Sequence, residues 1–191
     1  MDKRIIETGY LVGQLIIAMP KMSDPRFSKT VIYMCAHNSE GAMGLIINKL
    51  VDELTFSDLL KQLEIEPRSP KSPLSVFLGG PVEQARGFVL HSAEYIQDTT
   101  LRVSNTVGLT ATIDVLRDIA EGHGPKDKIL TLGYTGWGPG QLESEIMENG
   151  WLHVEADDTL VFDDKLTDKW EMAIRQIGID PQMLSDEFGH A

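Results

Sequence analysis

The chain has 191 residues, 42% of them hydrophobic, and a formal net charge of -12. A chain of this length buries roughly 70% of the surface it exposes when unfolded, so one core without disulfide or structural metal is expected. Residues 1–120 carry 12 Lys and Arg against 14 Asp and Glu, and residues 121–191 carry 5 against 15. That balance disfavours direct nucleic-acid binding, which draws its affinity from cations that displace phosphate counterions. The one local exception is the basic group Lys21, Arg26 and Lys29. The single cysteine, Cys35, fits a reducing cytoplasm. Glu7 interrupts the N-terminal apolar run before a signal-peptide core can form, and no apolar run approaches the roughly 20 residues of a membrane span.

In chain order, residues 12–19 and 30–36 are β-rich runs separated by a loop that Pro20, Ser23, Asp24 and Pro25 mark. The cluster His37 to Gly41 predicts a turn, with the chain returning through residues 43–48 as a hairpin. Phe56, Leu59, Leu60 and Leu63 have helical spacing behind a cap at Thr55 or Ser57, and Pro67, Pro70 and Pro73 then enforce irregular structure. Strands follow at 74–78 and 87–90, then a helix at about 110–121 closed by Gly122, and a strand at 128–134. Residues 139–148 read as a short helix with Leu142 and Ile146 inward and Glu143, Glu145 and Glu148 outward. Two short strands, 151–155 and 159–162, precede a last helix in which Leu166, Trp170, Ala173, Ile174 and Ile177 share a face, ended by Gly178. The absence of a regular βαβ alternation argues for an α+β domain over residues 1–184, a mixed sheet packed against helices, with 185–191 as a frayed tail.

The densest glycine segment, Gly133 to Leu142, lies between a strand and a helix, where phosphate loops sit. It lacks both the Lys-Ser/Thr of a P-loop and the third glycine of a dinucleotide fingerprint. Its other reading is a tight turn, with Pro139 at the first helical position and Trp137 as a packing anchor. Gly79-Gly80-Pro81-Val82 is a second strand-end turn, followed by Arg86. If the turns converge, Gly79, Gly80, Gly136, Gly138, Arg86 and Arg26 form a candidate site for a small anionic ligand or nucleotide. Arg26, in a constrained Asp-Pro turn, is also a candidate for presentation to a partner, against plain loop punctuation with Phe27 tucked into the core. Cys35 and His37, two apart, form a conceivable nucleophile pair, against a buried structural cysteine beside a turn histidine. No zinc-protease histidine pair, paired Cys-x-x-Cys or Gly-x-Ser-x-Gly elbow is present, so no metal, cofactor or catalytic residue is expected.

Together these segments resemble the AlgH/YqgE family of bacterial proteins. The matching stretches are Met19-Pro20 with Asp24-Pro25-x-Phe27, Cys35-x-His37 with Gly41-Ala42-Met43-Gly44 and Asn48, Gly79-Gly80-Pro81-Val82, and Gly133-Tyr134-x-Gly136-Trp137 into Gly140-Gln141-Leu142-Glu143. Leu50 departs from a proline that members often place there. The resemblance implies an α+β domain with a bifurcated sheet curled into a partial barrel, and an association with transcriptional regulation without an agreed mechanism. The expected function is therefore that of a non-enzymatic cytoplasmic regulatory or interaction protein with a protein partner. The alternative is a small anionic-ligand binder or enzyme using the glycine turns.

Overall fold

In the computed structural model, which describes residues 10–68, 74–164, 166 and 168–184, the N-terminal apolar runs become strands buried on both faces. The chain forms two compact units, Met1–Asn48 with Gly136–Ala191, and Lys49–Thr135. The first unit contains β1 (Gln14–Ala18), β2 (Val31–Asn38) and β3 (Gly41–Ile46), then α3 (Gln141–Met147), β9 (Trp151–Glu155), α4 (Asp158–Phe162) and α5 (Lys169–Gln176). Its antiparallel strands run in the order β9-β1-β2-β3, with Leu15 opposite both Tyr33 and Val154, and the expected hairpin joining β2 to β3. Side chains alternate across a strand, so Ile16, Ala18, Ile32, Met34 and Ile46 fall on one face, where they pack with Trp137, Leu142 and Trp151. Leu15, Ile17, Val31, Tyr33 and Leu45, equally buried, belong to the other face, and α5 packs against β1 and β2. Burial on both faces explains why these strands read as unbroken apolar runs.

The second unit contains α1 (Phe56–Gln62), β4 (Val76–Leu78), β5 (Val82–Ser92), β6 (Leu101–Arg102), β7 (Val107–Thr110) and α2 (Ile113–Glu121), and most of β8 (Lys128–Trp137). Its strands run β4-β8-β5-β7-β6, antiparallel except for the β4–β8 pair, so the sheet is mixed, as expected. Thr55 caps α1 in a reciprocal capping box with Asp58, worth about 1 kcal/mol. Val115, Leu116, Ile119 and Ala120 of α2 join Phe56, Leu60, Val89 and Leu130 in one core. Gly122 closes α2 in the left-handed conformation that the sequence reading requires.

Several elements differ from the sequence reading. Residues 158–162 are helical, although Thr159 and Val161 favour a strand; Asp157 caps the turn by accepting the Thr159 N–H at 2.8 Å, and Leu160 and Val161 are buried. The hairpin of β6 and β7 was not anticipated, and α2 starts after it, at Ile113 behind Thr112. Pro139 precedes α3, whose cap is Gly140. Pro70, Pro73 and the tail 185–191 lie outside the described residues. No helix among the described residues is long and apolar enough to cross a membrane.

Candidate functional site

Three of the six candidate ligand-site residues, Gly79, Gly80 and Arg86, belong to the second unit. Gly79 and Gly80 are buried at the end of β4, against the backbone of Gly133, Tyr134 and Thr135. A Cβ on Gly79 would overlap the Gly133 carbonyl, and one on Gly80 would overlap that of Tyr134. The chain then enters β5 irregularly. Val82 pairs with Tyr134 and Gly87 with Leu132, so Glu83, Gln84, Ala85 and Arg86 face the single residue Gly133. These four residues bulge out of the sheet and all are exposed. Glu83 holds a left-handed backbone, φ 47°, which a non-glycine residue adopts only under strain. The Arg86 guanidinium lies 5.1 Å from the centroid of the Phe88 ring and 3.5 Å from a Glu83 carboxylate oxygen.

Arg26, Gly136 and Gly138 belong to the first unit. Arg26 follows Asp24, which caps a 3-10 turn (Pro25–Phe27); its Nε and a terminal nitrogen donate to both Asp24 oxygens at 2.6–3.1 Å. Gly136 is exposed within β8, and the Gly138 N–H donates to Gln141 Oε1 at 3.0 Å. That bond starts a chain of donors. Gln141 Nε2 donates to Glu145 Oε1, and the other oxygen, Oε2, accepts the indole N–H of Trp137 at 2.9 Å and of Trp151 at 2.8 Å. The two indoles meet edge to face. Trp137 is the anchor the turn reading expects. Glu145, by contrast, does not point outward but holds two tryptophans together. The only hint in the sequence is a glutamate spaced between two tryptophans, which propensity rules ignore.

Cys35 and His37 are both buried in β2. The thiol donates to the Tyr33 carbonyl, at 3.7 Å, and burial pushes its pKa up to about 12, so no thiolate forms near neutrality. His37 Nδ1 accepts the Leu11 backbone N–H at 3.1 Å, which requires the proton on Nε2, and Nε2 lies 2.9 Å from Glu143 Oε1. The imidazole is therefore a neutral tautomer joining the start of β1 to α3, and the Glu143 carboxyl is held below its usual value chiefly by its own backbone N–H and to a lesser extent by the His37 bond. Glu143 reaches this partner while its side chain stays 43% exposed, so it still faces outward.

His91 is a second buried histidine. His91 Nδ1 donates to the Ser92 carbonyl at 3.0 Å, so Nε2 accepts from Thr110 Oγ1 at 2.8 Å, and Thr110 is in turn 2.8 Å from Thr100 Oγ1. Burial lowers its pKa. Gly108 provides room, since a Cβ there would lie 2.8 Å from the ring. Among the described residues, no group of three or more His, Cys, Asp or Glu side chains is arranged to hold a metal ion.

The family profile described as AlgH-like matches residues 15–182, through both units. The chain belongs to the AlgH-like family. It is 54% identical over 193 residues to a UPF0301 protein of Nitrobacter hamburgensis, covering 97% of this chain and 89% of that one. A UPF0301 protein of Rhodospirillum rubrum is 51% identical, with 96% and 95% covered. The solution structure of the AlgH protein from Pseudomonas aeruginosa superposes with a TM-score of 0.78 at 38% identity, over 95% of this chain and 96% of that one. A Corynebacterium diphtheriae protein shares the fold at 21% identity and a TM-score of 0.70. None of these names states a reaction or a ligand. The AlgH-like motifs of the first unit are instead seen at work in packing: Phe27 meets Trp151 edge-on, and Asn48 accepts the Val31 N–H and donates to the Lys29 carbonyl.

Proposed function

We propose that this AlgH-like chain is a cytoplasmic binding protein of a regulatory kind, which acts through contact with a protein partner and not through catalysis. The observation that carries the reading is the engagement of Cys35 and His37. The thiol is sealed in a strand and held protonated, and both nitrogens of the imidazole are committed to internal partners. A nucleophile and base built for turnover need an ionisable thiol and a free ring nitrogen. The test is a panel of phosphoesters, esters and thioesters incubated with the purified protein. No turnover is expected; turnover that disappears in Cys35→Ser or Arg86→Gln would overturn the proposal.

A second reading, binding of a small anionic ligand beside the Gly79–Gly80 turn, is favoured by the bulge that lifts Arg86 off the sheet. It predicts a rise in melting temperature with a nucleotide or phosphometabolite that Arg86→Gln abolishes. No shift across such a panel would remove it.

A further inference from the structure

We infer that the loop connecting β1 to β2, residues 19–30, is a docking surface for an acidic segment of a partner protein. The inference rests on the reading of the chain as a binding protein and names the chemistry of what it binds. Charge is the first argument. Among the described residues of the first unit, the exposed Lys and Arg side chains are Lys21, Arg26 and Lys29, all in this loop, and Arg175; Arg26 pairs with Asp24 inside the loop, which leaves the loop a net positive charge of two, and Arg175 pairs with Glu171 on α5. From Glu143 to Asp180 the same unit is otherwise dominated by carboxylates. A cationic loop on a strongly anionic body attracts negative charge locally, and screening over roughly 10 Å keeps the attraction local.

The second argument is that the loop is already ordered, so binding need not fix it. The Met22 N–H donates to the Met19 carbonyl, Asp24 caps the 3-10 turn, and Thr30 returns both its N–H and its hydroxyl to the Phe27 carbonyl. Asn48 holds Lys29 in a left-handed backbone, φ 51°, and the Lys29 ammonium lies 5.6 Å from the centroid of the Trp170 ring. The third argument is composition. Arg26 lies over the half-buried Phe27 ring, with Met22 also half-buried on the same core cluster. Arginine, aromatic and methionine side chains are the types enriched in protein interfaces.

A protein segment fits better than a nucleic acid. Three cations fall short of the 6–10 phosphate contacts that give DNA-binding proteins their affinity, and the net charge of -12 repels an extended polyanion. The expected occupant is a short run of Asp and Glu flanking an apolar residue that rests on Phe27 and Met22.

Fluorescence anisotropy with the full chain tests this, using a labelled peptide of Glu and Leu residues, its Lys and Leu counterpart, and a short DNA duplex. The Glu/Leu peptide is expected to bind at low salt and to weaken as salt rises. The triple variant Lys21→Gln, Arg26→Gln, Lys29→Asn should bind it about tenfold or more weakly, the Asn tolerating the left-handed backbone. Arg175→Gln should bind like the parent. Circular dichroism verifies that both variants are folded. Absence of peptide binding, equal binding by the triple variant, or tighter binding of the duplex would overturn the inference. A turnover result would remove the binding-protein reading without altering these affinities, so the two failures are distinguishable.

Discussion

Lys169 opens α5 with no exposed surface, and its Nζ donates to the Val161 carbonyl at 2.8 Å and to the Ile47 carbonyl at 3.3 Å. Burial lowers its pKa from 10.5 to about 8, against the pull of Asp163 and Asp164 in the other direction. The sign follows from proton counting. Below about pH 8 the lysine is charged in both states, and the fold carries the full cost of burying the ammonium, about 3 kcal/mol. Between 8 and 10.5 the unfolded chain keeps a proton that the folded chain has released, so stability rises with pH. In Lys169→Met this contribution is gone. Wild type should therefore gain about 1 kcal/mol relative to the variant between about pH 7 and pH 9. Urea denaturation of both proteins across that range measures the difference. The comparison cancels the opposing effects of Cys35 and Tyr95, whose raised pKa values make their ionisation destabilising at high pH. Absolute stability at neutral pH is a poorer readout, since methionine removes the charge but also strands two carbonyls. Parallel stability curves for the two proteins would refute the reasoning.

Three further outcomes are expected. Glu145→Ala leaves two buried indole N–H groups without an acceptor and should lower unfolding free energy by about 2–4 kcal/mol. Glu145→Gln should cost less, about 1 kcal/mol, because its amide oxygen still serves the indoles while Gln141 must turn away from Gly138; equal losses in the two variants by denaturant titration would argue against the donor chain. Gly80→Ala combines a φ of 156° with overlap on the Tyr134 carbonyl and should cost more than about 3 kcal/mol, whereas Gly122→Ala, with nothing within 4 Å, should cost about 1 kcal/mol. Matching melting temperatures for those two would contradict the close approach of Gly80 to β8. His91 is held neutral, with its pKa lowered, so its contribution is present above its unfolded value of about 6.5 and is lost as pH falls below it. His91→Gln should flatten the acid side of the stability profile, seen by comparing melts at about pH 7 and pH 5.

The sequence made the strands of the first unit legible because burial on both faces writes a continuous apolar run, and made α1 legible because Thr55 and Asp58 announce its start. It failed where a local preference was outweighed. Val161 and Thr159 favour extended backbone, but a cap at Asp157 and two buried side chains made a helical turn. The β6–β7 hairpin was hidden by Gly108, a poor strand former placed there for the ring of His91. The site was less legible than the fold. That the Gly79–Gly80 turn meets Gly133 follows from the parallel pairing of β4 with β8, which joins segments some fifty residues apart and leaves no local signature. Glu145 reads as solvent-facing because the charge of a helix residue says nothing about two indoles arriving from other strands.

The carboxylate shared by Trp137 and Trp151 also gives the molecule a built-in optical label. All three tryptophans lie in the unit formed by Met1–Asn48 and Gly136–Ala191, the third, Trp170, donating its indole N–H to the Ala18 carbonyl at 2.8 Å. Residues 49–135 contain none. Tryptophan emission therefore follows the loosening of one unit, while the amide circular dichroism follows both. Superimposable denaturation curves from the two signals mean a single cooperative transition, and an earlier change in either one identifies the unit that opens first.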